Sequence, residues 1–230
     1  MNFDSEKRLA AYAAVEEVQD GMVVGLGTGS TVGFAIEVLA NRGRRGLKIQ
    51  AVATSIRTES IARRSGIAML DFSTLATIDL CIDGVDEIDP TFRAIKGAGG
   101  AMLREKIVAQ SAARMIAIAD HSKAVTQIGR APIPVEFLPF AEEFIKRGIS
   151  GIGGIAVLRI TATGQPFLTD QENPIFDCTF ESISSPEDLA ASLSNIPGVL
   201  AHGLFLDKID AIYIGNGTKA EYRDAISGRR

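Results

Sequence analysis

The sequence predicts an α/β fold built in two units, and three observations carry that reading. Short apolar runs alternate with helical stretches through the first 129 residues, the order that builds a parallel sheet. Beyond Gly129, where Pro132, Pro134 and Pro139 crowd the chain, the order changes to strand, helix, strand, strand, helix, strand. Polar clusters sit just past four early strands, at Thr28 to Thr31, Thr54-Ser55, Asp83 to Asp86 and Asp120 to Lys123. Ligands of a parallel sheet collect at those carboxyl ends.

Taken in order, residues 5–18 predict a helix whose apolar positions include Leu9, Tyr12, Ala13, Val15 and Val18, with Lys7 near its start. A buried strand, Met22 to Leu26, runs into Gly27-Thr28-Gly29-Ser30-Thr31 and then the apolar helix Val32 to Leu39. Strand, glycine turn and helix in that order let backbone N–H groups and hydroxyls cradle a phosphate. The dinucleotide fingerprint fails here: Ser30 stands where its third glycine belongs, and the next strand, Lys48 to Ala53, ends in Thr54-Ser55 instead of an acid. No lysine follows Gly29, so the nucleotide P-loop fails too. A small phosphorylated substrate fits better. The alternation goes on through helix Ile56 to Ser65, strand Ile78 to Ile82 and strand Arg114 to Ala119.

Between those last two strands lies DGVDEIDPTFRAIKGAGGAMLREK, residues 83–106. Four acids fall within seven residues, followed by Lys96 and the turn Gly97-Ala98-Gly99-Gly100. On a helical wheel Ala101, Met102, Val108, Ala109, Ala112 and Ala113 share one side, and Glu105 lands in its middle. A lone glutamate there usually escapes to solvent. Beside a glycine-rich turn that opens a helix, where N–H groups favour developing negative charge, it is a candidate general base. For the acidic run itself, a solvated loop and a divalent-metal site are the competing readings, and Glu87 and Asp89 are read as solvated.

The second unit is read as strands 133–137, 155–161, 174–180 and 199–206 with helices 139–147 and 186–195, the βαββαβ order of a ferredoxin-like α+β domain. A strand at 211–214 returns to the first, Rossmann-like unit. The expected division is therefore 1–129 plus 207–230 for a catalytic Rossmann-like domain and 130–206 for the insertion. A formal charge of −4 gives no footprint for nucleic acid. The charged start, MNFDSEKRLA, does not read as a signal peptide, and no stretch reads as a membrane span, so a cytoplasmic protein is expected. Cys81 and Cys178 lie in apolar runs, with His121 and His202 at no metal-site spacing; both are read as core, and no metal is expected.

The chain resembles the ribose-5-phosphate isomerases of the A type. The segments that carry the resemblance are GLGTGST at 25–31, DGVDEID at 83–89, KGAGGAMLREK at 96–106, ADHSK at 119–123, PVE at 134–136 and IPGVLAHGLF at 196–205, in the family's order and over nearly the whole length. The resemblance implies a cofactor-free interconversion of D-ribose 5-phosphate and D-ribulose 5-phosphate, in the non-oxidative branch of the pentose phosphate pathway, by a homo-oligomer, a dimer or a tetramer. It implies Glu105 as proton-transferring base, with Asp83 and Lys96 also catalytic. Substrate is expected on Thr28, Gly29, Ser30, Thr31, Asp83, Gly84, Val85, Asp86, Lys96, Gly97, Ala98, Gly99 and Lys123, and Lys7 is a weaker candidate for the phosphate. Two positions depart from the family pattern: Ala98 replaces a glycine of its turn, and Val85 a common alanine.

Isomerisation of this kind needs one carboxylate to carry a proton between adjacent carbons and a cationic or N–H partner for the enediolate oxygen, roles that suit Glu105 and Lys96 with the Gly97 to Gly100 amides. Asp83 is assigned to opening the furanose, and Asp86 to orienting hydroxyls or Lys96. Two rival functions share such a scaffold. A non-catalytic sugar-phosphate sensor would keep the phosphate turn without needing Asp83, Lys96 and Glu105 together. An amino-sugar-phosphate deaminase or a coenzyme A transferase would keep the turn with other catalytic residues.

Overall fold

The computed structural model describes residues 3–225; the outermost ends of the expected catalytic unit, 1–2 and 226–230, lie outside the described residues. The chain opens with α1 (Asp4–Val15), then runs β1 (Val23–Leu26), α2 (Ser30–Arg44), β2 (Gln50–Ala53), α3 (Ile56–Arg64), β3 (Ala68–Met69) and β4 (Ile78–Gly84). Two short strands, β5 (Glu87–Ile88) and β6 (Ala94–Ile95), precede α4 (Met102–Ser111) and β7 (Ala112–Asp120). Then come β8 (Ile133–Phe137), α5 (Glu142–Gly151), β9 (Gly154–Leu158), β10 (Ile175–Phe180), α6 (Pro186–Ser194) and β11 (Val199–His202). The last described elements are β12 (Leu204–Phe205), β13 (Ala211–Asn216) and β14 (Lys219–Asp224).

Seven strands form one sheet in the order β14-β13-β7-β4-β1-β2-β3. All its pairings are parallel except β13 with β14. The central strands are apolar runs because helices cover both faces. Val24, Leu26, Leu80, Ile82, Ile116 and Ile118 pack with α1 and α2 on one side. Cys81, Met115, Ala117 and Ala119 pack with Val108 and Ala109 of α4 on the other. Side chains alternate along a strand, so Asp83, two residues past Cys81, faces the α4 side as well. The chain leaves β1 in one direction for β2 and β3 and in the other for β4, β7 and β13. The switch point, where such sheets bind ligands, therefore lies between the carboxyl ends of β1 and β4.

Four antiparallel strands form a second sheet in the order β11-β8-β10-β9, the strand order of a ferredoxin-like unit. Its core includes Ile145 and Ile149 of α5, Leu193 of α6, and Phe137 stacked on Phe176 with ring centroids 4.2 Å apart. Three details depart from the sequence reading. The helix expected from Pro139 starts as a 3-10 turn and becomes α-helical only at Glu142. The strand expected over 199–206 breaks at Gly203: β11 pairs with β8, whereas β12 joins β6 and β5 in a third, small sheet. Gly203 makes the crossing possible, because a Cβ there would fall 2.3 Å from the carbonyl oxygen of Lys96. Finally, β13 turns back at Gly217 and pairs with β14, a strand the charged sequence KAEYRD conceals.

Candidate active site

The turn after β1 is built by hydroxyls from its neighbour. The Thr28 Oγ1 lies 2.8 Å from Thr54 Oγ1 and 2.9 Å from Ser55 Oγ, while Thr58 donates to the Gly27 carbonyl at 2.9 Å. Thr54, Ser55 and Thr58 are buried, so this network belongs to the fold and fixes the turn from behind. Gly29, at φ +131°, lets the backbone swing into α2. Thr28, Gly29, Ser30 and Thr31 then form one wall of a cleft of about 200 Å³ at the switch point. Lys7 of α1 and Lys123, in the 3-10 turn after β7, reach the same cleft. Glu6 ties those two supports together: it bonds the His121 ring and backbone N–H and takes the Gly217 N–H at 2.9 Å.

At the cleft floor and just beneath it stand two carboxylates and one ammonium. Lys96 Nζ lies 2.9 Å from Asp83 Oδ2 and 3.2 Å from Glu105 Oε2, and all three side chains are at most 3% exposed. Asp83 is fully buried; its Oδ1 accepts the N–H groups of Thr28 at 3.1 Å and Gly84 at 2.7 Å. Glu105 sits in the first turn of α4, on the same buried face as Met102, Val108 and Ala109. The helical wheel thus placed it on the buried side of the helix, and there it meets the cleft instead of bulk solvent. Burial, and next the charge of Asp83, push the Glu105 carboxyl up to about 8, with Lys96 opposing. Burial raises Asp83 too, again against Lys96. For Lys96 burial works against the charge, but the two carboxylates outweigh it and hold the ammonium firmly protonated.

The glycine-rich turn closes the cleft. Gly97 at φ +104° and Gly100 at φ +77° take conformations that other residues avoid. Ala98 is exposed and lies outside that region, so its methyl group is accommodated without strain. Its N–H donates to Asp86 Oδ2 at 2.8 Å, which orients the acid and the turn toward each other. Of the residues expected on substrate, Thr28, Gly29, Ser30, Thr31, Gly84, Val85, Asp86, Lys96, Gly97, Ala98, Gly99 and Lys123 line the cleft together with Glu105 and Lys7. Asp83 lies beneath its floor.

Glu87 and Asp89 correct the reading of a solvated acidic loop. Glu87 is buried and accepts the backbone N–H groups of Gly129, Arg130 and Ala131, at 2.7 to 3.2 Å. Asp89 pairs with Arg93 Nε at 2.8 Å and takes two N–H groups of its own turn. Both are structural acids spent on backbone donors. A wider cavity of about 650 Å³ lies between α3 and α4 and holds none of the cleft's groups. Its charges are paired locally, Arg63 with Glu59 at 2.7 Å and Arg104 with Asp170 at 3.7 Å, so the smaller cleft is the candidate site.

Comparison with known proteins identifies the family to which the chain belongs. The chain matches the ribose 5-phosphate isomerase A (phosphoriboisomerase A) family over residues 50–219. It is 52% identical over 222 residues to the ribose-5-phosphate isomerase A of Sphingopyxis alaskensis, covering 96% of this chain and 97% of that one. The solved ribose 5-phosphate isomerase A of Methanocaldococcus jannaschii superposes with a TM-score of 0.91 at 36% identity, covering 95% of this chain and 97% of its own. A D-ribose-5-phosphate isomerase in complex with phospho-erythronic acid superposes at 0.94, with 34% identity over 97% of this chain and 100% of that one. With the family matched over most of its length and its fold shared throughout, the chain belongs to the ribose 5-phosphate isomerase A family.

Proposed function

We propose that this chain carries out its family's reaction, the interconversion of D-ribose 5-phosphate and D-ribulose 5-phosphate, through an enediolate formed by Glu105. The observation that carries the reading is the buried Glu105 carboxylate, 3.2 Å from the Lys96 ammonium at the floor of a cleft walled by glycine turns. In the open-chain aldose, Glu105 takes the proton from C2, leaving the enediolate, and returns it to C1. A proton passes from the C2 hydroxyl to the C1 oxygen, and the ketose results. Lys96 supplies positive charge to the oxygen that becomes anionic. The glycine-rich turn supplies an N–H from Gly97 or Gly99, since the Ala98 N–H is taken by Asp86 and the Gly100 N–H by the Gly97 carbonyl. A base with a pKa near the working pH balances availability against proton affinity, which suits a carboxyl raised to about 8.

Thr28 to Thr31, Lys123 and Lys7 are assigned to the phosphate, since hydroxyls, a helix N-terminus and two ammonium groups gather at that end of the cleft. Asp86 orients the glycine-rich turn and the sugar hydroxyls. For Asp83 two tasks are proposed: holding Lys96 in place, which its contacts favour, and opening the furanose. We also propose the division into a catalytic Rossmann-like unit, 1–129 with 207–230, and a ferredoxin-like insertion, 130–206.

The pentose phosphate pathway supplies the context, its non-oxidative branch being where the two sugar phosphates interconvert. A cytoplasmic location suits two buried free thiols, and no helix among the described residues is long and apolar enough to cross a membrane. A homo-oligomer, dimer or tetramer, suits the apolar side chains that the ferredoxin-like unit exposes, including Phe140, Phe144, Ile155 and Val157. The direct test is incubation with ribose 5-phosphate and detection of the ketose. Failure to form it, with the protein folded, would return the sensor, deaminase and transferase readings.

A further inference from the structure

Arg159 follows β9, about sixty residues from the glycine-rich turn in sequence, yet its guanidinium is spent on that turn. Its Nη1 donates to the carbonyls of Gly97 at 3.0 Å and Ala98 at 3.1 Å. The other edge of the fork is held by Asp177 of β10, with Nε 2.9 Å from Oδ2 and Nη2 on Oδ1. Phe167 completes the grip. The Arg159 guanidinium lies over its ring, 5.7 Å from the centroid, and the ring edge presses on Gly100, where a Cβ would fall 2.4 Å away.

A peptide unit is planar and, when trans, points its C=O and N–H in opposite directions. Pinning the Gly97 carbonyl to Arg159 therefore turns the Ala98 N–H the other way, and that N–H does meet Asp86 on the cleft side. The same geometry applied to the Ala98 carbonyl turns the Gly99 N–H away from Arg159, toward the cleft that Gly99 lines.

We propose that Arg159, braced by Asp177, is a positioning residue for the isomerisation: it aims the Gly99 N–H at the oxygen that becomes anionic in the enediolate. The ferredoxin-like unit thereby takes part in the chemistry without touching substrate. The inference rests on the reading of the cleft given above.

The test compares wild type with Arg159→Ala, Arg159→Lys, Asp177→Asn and, as a control for the site itself, Glu105→Gln. Turnover and KM are measured on ribose 5-phosphate, with inhibition by phospho-erythronic acid and by inorganic phosphate. The carboxylate of phospho-erythronic acid is planar and anionic like an enediolate, whereas phosphate probes only the other end. Arg159→Ala is expected to lower kcat by about 10- to 100-fold and to weaken phospho-erythronic acid by a comparable factor, somewhat less than loss of a direct oxyanion donor. KM and phosphate inhibition should stay within about twofold, the pattern of an interaction made mainly in the transition state. Arg159→Lys should recover part of the loss, because an ammonium can still reach a carbonyl but cannot fork onto Asp177.

Unchanged turnover and inhibitor affinity in Arg159→Ala would overturn the proposal. So would parallel weakening of substrate, phospho-erythronic acid and phosphate, which describes a turn that has merely collapsed. Should the alanine variant not fold, Arg159→Lys and Asp177→Asn are judged by the same split between carboxylate and phosphate. If Glu105→Gln kept wild-type turnover, the base assignment would fall, while the Arg159 proposal would still be decided by its own readouts.

Discussion

Gly27 lies so close to Asp83 that a Cβ built on the glycine would fall 1.8 Å from Oδ1 and 2.0 Å from the carboxyl carbon. The phosphate turn and the catalytic floor are thus packed against each other with no room for a methyl group. The acid cannot yield easily, because Oδ1 is held by two N–H groups and Oδ2 by Lys96. Gly27→Ala is therefore expected to displace Asp83 and with it Lys96. Overpacking of this kind costs about 1–3 kcal/mol, and kcat/KM should fall by roughly a hundredfold, since a misplacement near 1 Å at reacting groups has that effect. Thermal unfolding and steady-state kinetics on the same preparation check both parts; wild-type kinetics in Gly27→Ala would show that Asp83 can move without consequence.

At the other end of the cleft, the turn that Gly27 opens is expected to hold the phosphate. Ser30 and Thr31 begin α2 and line the cleft, whereas Thr28 spends its hydroxyl on Thr54 and Ser55. Replacing Ser30 and Thr31 together by Ala should raise KM by about tenfold with a smaller effect on kcat, because binding to the unreacting phosphate is shared by ground and transition states. Inhibition by inorganic phosphate should weaken in parallel. Equal affinity for phosphate before and after the change would move the phosphate elsewhere in the cleft.

Most of this site was legible in the sequence for a physical reason. Parallel strands buried on both faces read as unbroken apolar runs, so the carboxyl ends of β1, β2, β4 and β7 could be placed within a residue or two. Glu105 stood out because it interrupts an apolar helical face. What stayed hidden depends on long-range contacts. Arg159, Asp177 and Phe167 carry no local pattern that ties them to Gly97 or Gly100. Gly203 looks like an ordinary strand glycine until Lys96 is seen against it, and β5, β6 and β12 have two residues each, too few for a period. One miss was avoidable: Gly217, with Thr218 forming a two-residue loop between Asn216 and Lys219, is a hairpin signal that announces the turn into β14.

The pKa of Glu105 makes two expectations whose signs can be worked out. A base must be ionised to act, so kcat/KM should climb tenfold per pH unit below about 8 and level off above it, with Lys96 still protonated. Stability runs the other way. The folded carboxyl titrates near 8 against an ordinary value of 4.5, so its neutral form favours folding and that contribution is lost as pH rises between those values. Glu105→Gln removes the titration. The variant should match wild type near pH 4 and exceed it near pH 9, by on the order of a few kcal/mol, or several degrees in melting temperature. A pH-independent difference between the two melting curves would argue that Glu105 is not held neutral by the fold.

The final expectation concerns the separate tasks of Glu105 and Asp83, which share Lys96 but not the cleft. Glu105→Gln keeps the size of the side chain and removes the base, so ligand binding should persist while turnover falls by roughly 10²- to 10⁴-fold. Asp83→Asn should differ. Its amide cannot balance the Lys96 charge, so turnover should fall, but a share of the loss belongs to ring opening if Asp83 performs it. Erythrose 4-phosphate cannot close to a furanose. If the cleft accepts it, Asp83→Asn should regain activity on it to the extent that ring opening was its task, and Glu105→Gln should not. No recovery in Asp83→Asn would leave holding Lys96 as its whole contribution. Deuterium incorporation from solvent at C1 and C2 during turnover reports the proton transfer itself, and it should disappear with Glu105→Gln in step with turnover. Exchange persisting at the wild-type rate in that variant would transfer the base role to another acid, and Asp86, which lines the cleft where Asp83 does not, would be the one to replace next.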